Sequence, residues 1–471
     1  MVEHIGMKLT ALLVSLCLGG IGQAIADQTA SNQRPTAPKL GHFKLDATIP
    51  LGHRCMGILP TKSQSISDGL ELHGFVLLGQ QPPIVVVAID WCEIRNQSYD
   101  EWRSRLAKVA GTKPERVLVS SLHQHDAPVI DSGAQDLLDQ VGLQNELFDR
   151  AFHEDVLTRA ELALSAAIED AQPVAHVGYA QSVVIDVASN RRVVDGSGNV
   201  SFSRGSSSGR NPRFQQAPEG LIDPLLRTIS FWSQNQCLVE YHAYATHPMS
   251  YYGKGEVTSD FVGLARKRLA RLDGSIHPIY ASGCSGDVTA GKFNDGSPEA
   301  REELTRKIYE AMLSNRKGVE KEPVPETWGL RNLPLELPYS RTETLQKEAM
   351  ERALHDDLLT VEKRILAAMG LASWNRVQVR KQPIDMPCVD LGIARLVLFP
   401  GESFVEYQHI AQKANGASPL IPVGYGECWT GYVPTDAAFE DGFDESWLWV
   451  APGAQGRIEQ VLQDLINPKL R

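Results

Sequence analysis

The sequence predicts an α/β fold: one large domain with a mixed β-sheet core and flanking helices. Three observations carry that expectation. Ile84-Val85-Val86-Val87-Ala88-Ile89 is an unbroken apolar run, as expected of a buried strand. Trp102, Leu106 and Val109 then share one face of a helical segment that Pro114 stops. Val117-Leu118-Val119 is again strand-like, completing a strand–helix–strand unit.

The other elements follow in order. Residues 45–90 hold short apolar runs parted by Gly and Pro, which reads as strands and turns. Phe148, Phe152, Val156, Ala160 and Ala163 recur at helical spacing between about Leu147 and Ala171. Residues 201–218 are rich in Ser, Gly and Arg and read as a loop. Arg204, Arg210 and Arg213 in it either cover a site or face solvent. Leu238 to Tyr244 is strand-like. Ser297-Pro298 opens a helix, Ser as cap and Pro in the first turn. A helix fills much of Ser340 to Met369. Leu396 to Phe399 is a strand running into Pro400-Gly401-Glu402. The last helix carries Ile458, Val461, Leu462, Leu465 and Ile466. Trp429, Trp447 and Trp449 read as core.

Length and composition narrow the function classes. The 471 residues allow about three domains at ~150 residues each. No repeat or linker supports that division. At 42% hydrophobic and 22% charged residues, disorder is excluded for the bulk of the chain. The net charge of -11 gives no bulk attraction to nucleic acid or anionic membrane. Lys8, the apolar run from Leu9 to Ile21 and Ala24-Ile25-Ala26 form a secretory signal pattern. Met7 is an alternative start. Residues 1–26 therefore read as a signal peptide, 27–43 as a leader and 44–471 as one domain. Export follows, to periplasm or medium. Six cysteines remain after cleavage, Cys55, Cys92, Cys237, Cys284, Cys388 and Cys428, and their pairing is open.

The candidate site begins at His123-Gln124-His125. Residues two apart in a strand point the same way, so both imidazoles can face one pocket. Thirteen histidines in this length give roughly 0.4 such pairs by chance, so the pair alone decides nothing. Three more segments resemble it in placement. His247 follows the apolar strand ending near Tyr244, Glu402 follows Leu398-Phe399, and Tyr432 lies in an aromatic, turn-rich loop. Strand ends are where sites collect in α/β proteins, and zinc takes N and O ligands of this kind.

In this order, His123-Gln124-His125 with Ala127-Pro128, His247-Pro248, residues 282–288 (Ser-Gly-Cys-Ser-Gly-Asp-Val), Pro400-Gly401-Glu402 and Tyr432-Val433-Pro434-Thr435 resemble neutral/alkaline, non-lysosomal ceramidases. Asp46, Thr48 and Pro50 near the start and Asn190-Arg191 also match. The resemblance spans about residues 44–445 and is strongest to short bacterial ceramidase-like proteins. It implies one zinc bound by His123, His247, Glu402 and Tyr432. It further implies that His125 faces the substrate carbonyl, that Arg191 contacts substrate, and that Thr289 stands where the family has a catalytic-site Ser. The implied reaction is cleavage of an amide, as in an N-acyl lipid, by zinc-activated water.

Several positions depart from the pattern. Thr289 keeps the hydroxyl but adds a methyl group. Gln124 and Asp126 replace the usual Thr and Ser, and Asp126 adds an acid that could recruit a second cation. Phe443 falls where the family has a substrate-binding Tyr, and the family's C-terminal β-sandwich is not expected here. The expected partner is a small-molecule or lipid substrate, with room for peripheral membrane contact and none for nucleic acid. A zinc esterase and a non-catalytic exported binding protein of the same fold are the alternatives.

Overall fold

The structure, a computed structural model, describes residues 37–467. The signal-peptide reading and residues 27–36 of the leader lie outside them.

Three larger sheets organise the described residues, and each is mixed. The first has the order Val117–Ser121, Ile84–Ile89, Glu71–Leu78, Lys39–Asp46 and Gln172–Pro173. Its first pair is parallel and the rest are antiparallel. The second runs His277–Ser282, Gln236–Tyr244, Leu225–Ser233, His176–Val183 and Glu320–Pro323, again with only the first pair parallel. The third runs Gly329–Leu335, Ile384–Asp390, Arg395–Leu398 and Leu420–Val423, with the last pair parallel.

Side-chain alternation explains the layering. Ile84, Val86 and Ala88 point into one apolar cluster together with Phe75 and Leu77. Phe75 meets Phe231 at 5.3 Å and Tyr241 at 5.9 Å between ring centres, so the first two sheets pack face to face. Val85, Val87 and Ile89 point the other way. There they meet Trp102 and Leu106 of the helix Asn96–Ala110 and Val156 and Ala160 of the helix Arg150–Glu169. The helices Asp260–Leu272 and Pro298–Lys317 pack on strands of the second sheet. Ser297 caps the latter by accepting from Ala300 N–H, as its sequence predicts.

Two expectations are corrected. The strand Lys39–Asp46 begins inside the stretch read as leader, because Leu40 and Phe43 are buried against neighbours. Pro35, Pro38 and the interleaved Lys39, His42 and Lys44 mask that alternation. The helix expected across residues 340–369 is two helices, Lys347–His355 and Val361–Trp374. The chain breaks between them at Asp356-Asp357, and Thr360 caps the second by accepting from Lys363 N–H.

The topology sets up the site. The parallel pairs of all three sheets end in loops that carry the chemistry-bearing residues. His123 follows Val117–Ser121, His247 follows Gln236–Tyr244, Thr289 follows His277–Ser282, Glu402 follows Arg395–Leu398 and Tyr425 follows Leu420–Val423. Two short ladders tie these loops together. Glu402 pairs in register with Tyr432, and Ser189-Asn190 pairs with Thr289-Val288.

A buried histidine away from the site makes acid stability testable. His153 accepts a hydrogen bond from Trp102 Nε1 at 3.0 Å, and burial pulls its pKa down to about 4. The unfolded chain binds a proton near pH 6.5 that the folded chain refuses, so this contribution is present above 6.5 and lost as pH falls toward 4. Between pH 7 and 5 the loss is expected to be about 2 kcal/mol. His153→Gln keeps the acceptor and should flatten that part of the urea-midpoint curve; an unchanged slope would count against the assignment.

Candidate functional site

Three donors converge. His123 Nε2 lies 3.3 Å and His247 Nε2 3.0 Å from the same oxygen, Glu402 Oε2. All three side chains are essentially inaccessible to solvent. His247 Nδ1 is 2.6 Å from Ser285 O and 3.0 Å from Val288 O, so it carries the proton and donates. That leaves Nε2 facing Glu402 Oε2 at 3.0 Å, open to share a proton with the carboxylate or to ligate a metal beside it. His123 Nδ1 lies 3.2 Å from Cys92 O, which assigns its tautomer in the same way. Burial alone would raise the Glu402 carboxyl, but His123 and His247 outweigh it and hold it well below the carboxylate range. Burial pulls His123 down, but Glu402 outweighs it and holds it raised; burial and Arg191 pull His247 down to about 4.

The backbone positions these rings at some cost. His123 adopts φ 65° and Tyr425 φ 57°, the left-handed region that non-glycine residues rarely occupy. Such conformations concentrate at functional sites and persist only where their surroundings hold them. His123 N–H donates to Trp91 O at 3.0 Å. The Tyr425 ring stacks on His123 at 4.5 Å, and its hydroxyl shares a hydrogen bond of 2.7 Å with Ser285 Oγ. Tyr425 therefore links the holders of both histidines. Behind His123, Glu93 pairs with Arg95 at 2.9 Å and accepts from Trp447 Nε1 at 3.2 Å. The Arg95 guanidinium lies 4.4 Å over the Trp449 ring.

The remaining expected residues surround this group. His125 has its ring 4.8 Å from His123 and 5.8 Å from His247, and neither of its nitrogens has a partner. Burial pulls its pKa well down, with His123 and His247 adding to the effect, so it is neutral near pH 7. Thr289 bridges to His247 through the backbone, and its buried hydroxyl also has no partner. Tyr432 sits beside Glu402 on their ladder and accepts from Arg191 Nη1 at 2.9 Å. Tyr252, 47% exposed, lies 5.3 Å from the His125 ring and marks the side open to solvent.

Other expected features lie elsewhere or differ. Asp126 accepts from Gly255 N–H at 2.8 Å, and burial raises its carboxyl to about 6. It belongs to neither metal-type cluster found among the described residues. The arginines of residues 201–218 do not present themselves as a set. Arg204 is buried and donates to the carbonyls of Asn190, Pro218 and Glu219, Arg210 pairs with Asp295, and Arg213 reaches Ser201 Oγ. The same loop sends Phe202 against Phe443, which packs on Tyr432. Phe443 and Glu445 also line a groove of about 1190 Å³ with Leu345, Met350, Leu366 and Leu448. The six cysteines among the described residues are all free and buried.

Sequence reasoning missed Cys92, Glu93 and the role of Tyr425. Trp91-Cys92-Glu93 directly follows the buried strand Ile84–Ile89, the same placement that singled out His247 and Glu402. That signal was available. Nothing in the sequence marks a stacking partner such as Tyr425.

One glycine contact bears directly on how Glu402 is held. A Cβ on Gly286 would fall 2.1 Å from Glu402 O and 2.9 Å from Glu402 C. Backbone cannot yield cheaply there, so Gly286→Ala should push the carboxylate out of line. A displacement near 1 Å is expected to cost about 10²-fold in turnover with the fold retained. Full activity in that variant would show that Glu402 need not be held where it is.

Solved structures with the same architecture exist. A neutral ceramidase from Pseudomonas aeruginosa superposes with TM-score 0.65 at 15% identity, over 92% of this chain and 74% of that one. The fold is similar to that of a neutral ceramidase. A ceramidase complexed with C2 gives TM-score 0.67 at 15% identity, covering 92% of this chain and 75% of that one. No family model and no curated protein matches the sequence.

Proposed function

We propose that the protein is an exported zinc-dependent hydrolase that cleaves an amide bond of an N-acyl lipid. The observation that carries this is the convergence of His123 Nε2, His247 Nε2 and Glu402, with the unpartnered groups of His125 and Thr289 beside them. The donors fit zinc: two imidazole nitrogens with their other nitrogen protonated and hydrogen-bonded, and one carboxylate oxygen. Tyr432 is the proposed fourth ligand. When bound, zinc supplies Lewis-acid activation of water and of a carbonyl oxygen.

The chain's own groups do the rest. His125, buried and without a protein partner, donates its N–H to the carbonyl oxygen as it gains charge, takes up the proton that the attacking water gives up and passes it to the departing amine. The Thr289 hydroxyl orients the attacking water. Arg191, held by Tyr432, contacts the substrate beside the reacting carbon. The groove that begins at Phe443 and Glu445 takes the acyl chain along Leu345, Met350 and Leu366. Export rests on the pattern of residues 8–26; among the described residues no helix is long and apolar enough to cross a membrane.

Chelation tests the reading. Treatment with a strong chelator is expected to abolish hydrolysis of N-acyl amides, and about one equivalent of zinc per chain should restore it. Matched amide and ester substrates separate an amidase from an esterase. Undiminished turnover in metal-free protein would overturn the proposal, and metal binding with no turnover on either substrate would favour a binding protein.

A further inference from the structure

Cys92 has no part in that chemistry, yet its thiol stands against it. Its Sγ lies 3.8 Å from His123 Nδ1. The thiol, one nitrogen of His123 and one of His125 all lie within 4.8 Å of one another. His125 is 2% exposed and both its nitrogens are without partners. Glu93 Oε1 is 3.7 Å from the same His123 Nδ1. A thiol, two imidazoles and a nearby carboxylate make a softer donor set than the His123–His247–Glu402 group. Among the described residues no other cysteine belongs to such a cluster.

We propose that Cys92, His123 and His125 form a second cation site, selective for thiophilic metal ions, whose occupation excludes metal from the His123–His247–Glu402 site. The exclusion follows from the tautomer of one ring. A neutral imidazole has a single lone pair. In the first site His123 offers Nε2 and keeps its proton on Nδ1, donating to Cys92 O. Binding through Nδ1 moves that proton to Nε2, where it faces Glu402 and can no longer ligate. His125 is withdrawn from the substrate side at the same time.

The step is a simple exchange. The Cys92 S–H bond breaks, a sulfur–metal bond forms, and the proton leaves to solvent with no change of oxidation state. Thiophilic ions favour this thiol and imidazole set, whereas hard cations favour oxygen donors such as Glu402.

Cadmium(II) is the probe. Metal binding at Cys92 does not depend on the hydrolase reading; the exclusion does depend on the first site holding metal. The full-length, zinc-loaded protein is titrated with Cd²⁺ while the ultraviolet sulfur-to-cadmium charge-transfer band, zinc release and hydrolysis are followed. About one cadmium per chain is expected to raise the band, release zinc and stop hydrolysis. Cys92→Ser should lose the band and shift inhibition to about tenfold higher cadmium or more. Should that variant fold poorly, Cys92→Ala reads out the same way. A band that survives both substitutions, a band without zinc release, or zinc release without a band each overturns the proposal. A chain without turnover that still shows the Cys92-dependent band and zinc release would support this site while sinking the hydrolase reading.

Discussion

His247→Ala is expected to release the metal and take turnover down with it. The side chain is fully buried and held at one end by two carbonyls, so its Nε2 has a single direction, toward Glu402. Removing it leaves Glu402 opposite only His123 and strips Ser285 O and Val288 O of their donor. Affinity for zinc should fall beyond the roughly 10–100-fold typical of changes behind a ligand. Hydrolysis should drop by about 10³-fold or more, the scale on which loss of a single charge-stabilising group acts. Metal analysis of the purified variant, with circular dichroism to confirm folding, is the measurement. One zinc per chain in folded His247→Ala protein would remove this residue from the ligand set.

His125→Ala should do something different: lose turnover and keep the metal. Neither nitrogen of His125 bonds to the protein, so truncation strands no partner and should leave the fold intact. A group that meets the carbonyl oxygen only as charge develops contributes to kcat more than to KM. A fall of about 10²–10³-fold in kcat, with zinc content and KM near those of the parent, is the expected result. Loss of zinc alongside activity would move His125 into the ligand set, and unchanged kcat would remove it from the chemistry. The pair of variants thus separates holding the metal from using it.

The two outcomes also mark how far the sequence could be read. His123, His247 and Glu402 stood out because each follows an apolar run closely, and strand ends carry sites whatever the sheet order. Arg191 and Thr289 came only from the resemblance, and Tyr432 needed it too, since a Tyr in an aromatic, turn-rich loop has no spacing that sets it apart. Ile84–Ile89 was legible because both its faces are buried; Lys39–Asp46 was not, because Lys39, His42 and Lys44 interrupt its apolar pattern. The division into three sheets was not legible at all. It depends on which edges pair, and the Glu402–Tyr432 ladder joins loops that no local pattern relates. Nor could the left-handed backbone of His123 be foreseen, because it is imposed by contacts with Trp91, Cys92 and Tyr425 rather than by the residue itself.

Each sheet contributing one parallel pair to the same loop cluster has a consequence for the order of events during folding. His247 and Glu402 are 155 residues apart in the chain, and the ladder partner of Glu402 comes later still. Contacts so distant close late, because the loops between them must be ordered first. A chain folded only as far as the first two sheets holds His123 and His247 but lacks Glu402. The His123–His247–Glu402 group is therefore complete only once the third sheet docks. The proposed zinc, bound at that point, would stabilise only the finished protein, by mass action, so loading would serve as the last checkpoint of maturation.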